Sequence, residues 1–323
     1  MTITPARALL GFTLALALTP AGAQPAPDWP VRPLRIIVVA AAGGLPDIAA
    51  RNVAAGLQRL LPQPVVVENR AGGAGNIAAE AVARALPDGH TLLSTGTNQA
   101  VNPVLIPNPG FDYERDLTPV ALIGESNMML LSSPRFPARN VRELIALARQ
   151  KPGGVSMAVS VLGSPNHVGA ELLASMAGID LNFVPYKGSG ATFPDLMAGN
   201  VDLAIAAVPG ALGMVKAGKL RALAVTRLRR APQFPDLPTV DESGLPDYEI
   251  NSWVMLMVTG GTPAPIVERL GVEVRKALAL PEVKAALDLQ GMESSQMTPT
   301  QTGEYLASEM RKWAPVLKTA KMK

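Results

Sequence analysis

Downstream of Trp29, short runs rich in Val, Ile, Leu and Thr alternate with stretches of helical periodicity, and this alternation constrains the fold more tightly than any single motif. Strand-like runs lie at 35–39, 64–67, 91–95, 120–123, 129–132, 155–160, 182–184, 201–207, 220–225 and 253–258. Helical patterns fill the gaps. In 47–61, Ala49, Val53, Leu57 and Leu60 recur at spacings of four, four and three, which puts them on one face. The stretches 76–86, 141–150 (behind the cap candidate Asn140) and 166–177 behave alike, and further helices start near Pro263, Pro281 and Pro299. Strands separated by helices pair largely in parallel, with the helices covering the sheet faces. The expected class is α/β.

At 323 residues the chain is long for one hydrophobic core, so about two domains are expected. A composition 48% hydrophobic and 17% charged supports packed cores rather than disorder. Cysteine is absent, which excludes thiol nucleophiles, thiolate metal sites and disulfides, and two histidines, His90 and His167, are too few for a His-built metal centre. Aromatics are only 4% and the net charge of +3 is scattered, so neither stacking platforms nor a basic footprint for nucleic acid is present. The first residues combine positive Arg7, an apolar run at 8–18 and the small residues Ala21-Gly22-Ala23. That pattern is a secretory signal peptide over 1–23, with cleavage expected after Ala23. The run is about half the ~20 residues a membrane span requires.

Familiar catalytic and nucleotide motifs are approached and missed. Gly73-Ala74-Gly75-Asn76-Ile77-Ala78 has dinucleotide-fingerprint spacing, but Ser94-Thr95-Gly96-Thr97 stands where an acidic strand end is needed, so a close-packed turn is the better reading. The P-loop-like stretch 213–220 ends in Leu220, where Mg²⁺ needs a hydroxyl. Ser164 and His167, with Asp195 or Asp202, could be assembled on paper into a hydrolase triad, yet no nucleophile elbow is present. What remains is a set of small-residue loops between strand and helix: 40–44, 94–98 and 160–166. In open α/β sheets such loops lie at the carboxyl ends of strands, where backbone N–H groups and helix dipoles favour anions.

A longer series of motifs carries a family resemblance over nearly the whole chain. It begins with Trp29-Pro30, Pro33-Leu34-Arg35-Ile36-Ile37-Val38 and Ala42-Gly43-Gly44-x-x-Asp47. It continues through Val65-Val66-Val67-Glu68-Asn69-Arg70, Gly75-Asn76-Ile77, Pro87-Asp88-Gly89, Asn102-Pro103 and Val184-Pro185-Tyr186-Lys187-Gly188. Gly218-Lys219-Leu220-Arg221, Pro235-Asp236-Leu237-Pro238-Thr239 and Gly261-Thr262-Pro263 complete it. The chain resembles the periplasmic substrate-binding proteins of tripartite tricarboxylate transporters, the Bug receptors.

The resemblance implies a two-lobed periplasmic binding protein of the type II kind, each lobe a mixed sheet flanked by helices, with the ligand cleft between them. Lobe one would comprise 24–125 and 228–323, lobe two 126–227, with crossings near Glu125 and Arg227. The function it implies is capture of a small organic anion and delivery to the transporter's membrane components, by a periplasmic monomer with no cofactor, metal or catalytic residue. A sensing role beside a membrane sensor kinase is the second possibility, and a serine hydrolase the third. Carried onto this chain, the ligand contacts are Ala41, Ala42, Gly43 and Gly44, with Asp47 shaping the loop, and Ser94, Thr95 and Thr97 beside them. The opposite lobe supplies Gly163, Ser164 and His167, the Tyr186-Lys187-Gly188 turn closes the cleft, and Ala206 stands on the wall. Ala40-Ala41 replaces a common Phe-Pro, Pro46 a small residue, Ala206-Ala207 a polar pair and Val161-Leu162 a glycine and a polar residue. These departures imply a more apolar, roomier site suited to a monocarboxylate, an aromatic acid or a hydrophobic ligand.

Overall fold

The computed structural model describes residues 29–160, 163–186 and 189–319. The expected signal peptide with its cleavage point, Val161-Leu162 and Lys187-Gly188 lie outside the described residues. In chain order the elements are β1 (Leu34–Val38), α1 (Leu45–Leu60), β2 (Val65–Asn69), α2 (Asn76–Ala83), β3 (Thr91–Thr95), α3 (Asn98–Leu105), β4 (Leu117–Ser126) and β5 (Met128–Ser132). There follow α4 (Val141–Gln150), β6 (Ser156–Val159), α5 (Pro165–Ala177), β7 (Asn182–Pro185), α6 (Phe193–Ala198), β8 (Leu203–Ala207), α7 (Val208–Lys216) and β9 (Arg221–Val225). The last third holds β10 (Ser252–Thr259), α8 (Ala264–Leu278), α9 (Pro281–Leu289), β11 (Met292–Ser294) and α10 (Pro299–Thr319).

The strands form two mixed sheets, the two-lobed α/β architecture expected. The first has the order β11-β4-β10-β3-β1-β2, parallel from β3 through β1 to β2 and antiparallel around β10. The second has the order β7-β6-β8-β5-β9, with β6 parallel to both neighbours and β5 antiparallel to both of its own. Continuous apolar runs arise because the strands are covered twice. In β10, Val254, Leu256 and Val258 pack with Val53 and Leu57 of α1 and Leu270 and Val274 of α8. Its alternate residues Trp253, Met255 and Met257 join a core that includes Val82 of α2 and Leu306 and Trp313 of α10. The face expected of α1 is present except that Leu60 is exposed and Leu61, just past the helix, is buried instead.

A single residue, Asn127, carries the chain from β4 in the first sheet to β5 in the second. The return differs from the expected crossing at Arg227. Val225 pairs with Thr239, Val240 N–H donates to the Val225 carbonyl at 2.9 Å, and the Tyr248 hydroxyl donates to the Gly169 carbonyl of α5 at 3.0 Å. Residues 239–250 are thus bound to second-sheet elements, and the chain re-enters the first sheet at Ser252. Thr226 ties the strands of the crossing together: its N–H and hydroxyl reach the Met128 carbonyl at 3.0 and 3.1 Å, and the Ile250 N–H returns to the Thr226 carbonyl at 2.9 Å. Beside it the buried Arg227 guanidinium bridges Glu125 at 3.1 Å and Glu293 at 3.2 Å.

Candidate functional site

The carboxyl ends of β1, β2, β3 and β6 open onto one cavity of about 630 Å³. Its wall is built from the loop after β1, the glycine turn 71–75, residues 96–98, Ser160, Ser164 and Pro165, and the first three residues of β10. The first-strand loop has a fixed shape because Asp47 organises it. The Gly43 N–H donates to Asp47 Oδ2 and Asn69 Nδ2 to Asp47 Oδ1, each at 2.9 Å, while Asn69 Nδ2 also reaches the Ala40 carbonyl at 3.0 Å. Burial works to raise the Asp47 carboxyl, but the hydrogen bonds from Arg51, Gly43 and Asn69 outweigh it and hold the group below the usual carboxylate range. Gly43 supplies the left-handed turn at φ +82°, whereas Gly44 is extended at φ −71°.

The second wall element bends more sharply. Four successive residues, Gly72, Gly73, Ala74 and Gly75, all have positive φ, and Ala74 at +53° does so despite its Cβ. Such a conformation costs an L residue about 1–2 kcal/mol. Asn102 Nδ2 holds it by donating to the Ala74 carbonyl at 2.9 Å and to Asn76 Oδ1 at 3.0 Å. The Gly75 N–H donates back to the Gly72 carbonyl at 2.9 Å and the Asn76 N–H to the Gly73 carbonyl, which closes the turn on itself.

Four helix N-termini meet the cavity: Leu45-Pro46 of α1, the 73–75 turn leading into α2, Asn98 of α3, and Pro165 of α5. A helix N-terminus carries roughly half a positive charge; at α1 Pro46 has no N–H and those of Asp47 and Ile48 already meet the Gly44 carbonyl, so there the dipole carries the attraction. Among the described residues, no charged side chain lines the cavity, so these dipoles set its electrostatics. Thr97 adds a hydroxyl of particular interest. It is 1% exposed, lies on the wall, and its Oγ1 has no hydrogen-bond partner among the described residues. A buried hydroxyl without a partner costs about 1–3 kcal/mol, and because this oxygen is sealed off, the cavity meets other atoms of Thr97.

The description "Tripartite tricarboxylate transporter family receptor" belongs to the family model that matches residues 49–322. The chain is a member of that receptor family. Protein BugT of Bordetella pertussis is 36% identical over 320 residues, covering 98% of each chain. Rpa4515 of R. palustris, solved with adipate, superposes with a TM-score of 0.79 at 35% identity, covering 90% of this chain and 98% of its own. MatC from Rhodopseudomonas palustris, solved with bound malate, gives 0.78 at 31% identity, covering 90% and 100%.

Most of the receptor's expected contacts fall into three groups. Ala41, Gly44, Thr97 and Ser164 lie on the cavity wall. Ala42, Gly43, Asp47, Gly163 and His167 stand next to it in the same loops, Asp47 and His167 as braces: His167 Nδ1 accepts the Gly163 N–H at 3.2 Å. Ser94 and Thr95 are not loop residues but the last two of β3, fully buried, with Ser94 Oγ donating to the Pro46 carbonyl at 3.0 Å.

The structure does not bring Ala206 or Tyr186 to the wall. Ala206 alternates inward on β8 and is 2% exposed, in a core with Met129, Leu131, Ala158 and Val208. The Tyr186 hydroxyl donates to Asp195 Oδ2 at 2.8 Å, and Lys187 lies outside the described residues. The paper triad is likewise not assembled: Ser164 donates to Asn166, His167 accepts from Gly163, Asp195 holds Tyr186 and Asn200, and Asp202 holds Ser156. Sequence reasoning missed the 71–75 turn, Ser252 and Trp253 as wall residues. The run of glycines was the available signal for the turn, whereas nothing in a strand's first residues announces a cavity.

Proposed function

We propose that this receptor captures a small organic anion through a carboxylate seated among the N-termini of α1, α2 and α3, and delivers it to the membrane components of its transporter. The observation that carries the proposal is the convergence of helix N-termini from both lobes on one cavity without a charged side chain among the described wall residues. Neutral dipoles suit an anion that must be released again, because neither partner has to strip a full countercharge of water. Adipate and malate in the two solved relatives support carboxylate as the ligand class here. The wall of Val39, Ala40, Ala41, Leu45 and Pro46 offers the ligand body an apolar surface. In the same proposal the chain is exported with cleavage after Ala23, and lobe two extends from 128 to about 250. A thermal-shift screen of carboxylic acids tests it, since a ligand bound only by the native state raises the unfolding temperature. Stabilisation by acids but not by their amides is expected; equal response to both would remove the anion site.

A further inference from the structure

We propose that the second-lobe wall of the cavity recognises a hydrogen-bond donor, so that the acid bound here carries a hydroxyl, amine or amide N–H at its far end rather than a second carboxylate. The inference rests on the carboxylate site proposed above. Among the described residues, Ser160, Ser164 and Pro165 are what the second lobe contributes to the wall. Pro165 is the first helical residue of α5 and has no N–H to offer. Ser160 Oγ and Ser164 Oγ each lie 2.6 Å from Asn166 Oδ1 and 3.0 Å from one another. A separation of 2.6 Å suits O–H···O and is short for N–H···O, which sets the amide oxygen, not its NH₂, against the two serines. With both hydroxyl protons directed to the buried Asn166, the two serines meet at 3.0 Å without a proton between them, and each Oγ is left an acceptor. A carboxylate arriving there meets acceptors. To bind it, a serine must turn its proton away from Asn166 and weaken the acceptor pairing of a buried amide. A ligand O–H or N–H needs no such change. The two ends of the cavity thus differ: the first lobe brings three helix N-termini, whereas the second brings one, headed by Pro165 without an N–H, together with the two serine acceptors.

Matched straight-chain series of about four to eight carbons separate the possibilities: the plain acid, the terminal hydroxy acid and the diacid of each length, titrated calorimetrically into the mature chain. At a length that binds, the hydroxy acid is expected to bind at least about tenfold more tightly than the diacid. Ser164→Ala is the informative variant, because Ser164 makes no side-chain capping bond and Ser160 continues to occupy Asn166. It is expected to cut hydroxy-acid affinity about tenfold and remove the advantage over the plain acid. Ser160→Ala serves the same purpose should that variant fail to fold. A diacid that binds as tightly as the hydroxy acid, or a hydroxyl advantage that survives both variants, overturns the inference and leaves the carboxylate site standing. Failure of every acid to bind overturns the carboxylate site and the inference with it.

Discussion

Gly43 and Gly44 sit side by side in the loop after β1, yet substitution should hurt them differently. A Cβ on Gly43 meets open space, but its φ of +82° penalises any L side chain. Gly43→Ala is expected to lower stability by about 1–2 kcal/mol, read as a shift in denaturation midpoint. Gly44 has an ordinary backbone, but its Cβ would lie 3.1 Å from Ala40 Cβ and 3.2 Å from the Ala41 carbonyl, crowding the wall itself. Gly44→Val is expected to weaken carboxylate binding about tenfold, roughly 1.4 kcal/mol, with a near-normal unfolding midpoint without ligand. Thr97→Val separates the two quantities in the opposite sense. It deletes an unpartnered buried hydroxyl at nearly constant volume, so the ligand-free chain should gain about 1 kcal/mol while calorimetry shows unchanged binding. His167 gives a pH dependence. Burial lowers its pKa from the ordinary ~6.5, so below that value the unfolded chain takes up a proton that the folded chain resists, and stability falls as pH drops. Its neighbour Glu171, raised by burial, acts in the opposite sense, favouring the fold at low pH and losing that contribution as pH rises above ~4.5. His167→Gln should flatten the fall in urea midpoint between pH 7.5 and 5.5; an unchanged slope would assign it to other groups.

At the scale of elements, α4 shows what local chemistry alone can specify. Asn140 Oδ1 accepts the Glu143 N–H at 2.9 Å, and Glu143 in turn accepts the Arg139 N–H at 2.7 Å, a reciprocal cap readable from the sequence. Asn140→Ala is expected to cost about 1 kcal/mol by chemical denaturation, without effect on binding. Strands and longer helices were legible for the same reason: their apolar spacing is set within a few residues. Where signals are weak or non-local, legibility ends. α3 carries Pro103 in its body and asparagine at its start, and neither advertises a helix. β11 has three residues and exists because β4 offers Ser126, Glu125 and Gly124 as partners. The site divides in the same way. The loop after β1 announces itself through glycines ahead of an amphipathic helix, but whether Ala206 faces core or cavity depends on the register of β8 against β5, which no neighbouring residue reveals.

For the whole molecule, the crossing between lobes concentrates charge where the chain is thinnest. Glu125 Oε1 accepts from the Tyr305 hydroxyl at 3.0 Å and from Asn251, while its other oxygen and Glu293 share Arg227. Arg227→Met should lower the denaturant midpoint chiefly through Glu125, which loses its cation, because Glu293 is half exposed and keeps Arg229. A further consequence lies in the position of β10 between β3 and β4. Until Ser252–Thr259 has been synthesised, the first sheet is two disconnected pieces, a parallel trio with a bare edge at β3 and a lone β4. The second sheet, drawn from the contiguous stretch between Met128 and Val225, has all its strands well before that. Ribosomes add about 5–20 residues per second, so the first lobe waits on a strand that arrives many seconds after its neighbours. The first lobe therefore closes last in the order of synthesis, after every strand of the second sheet is available, without calling on any weakness in the finished protein.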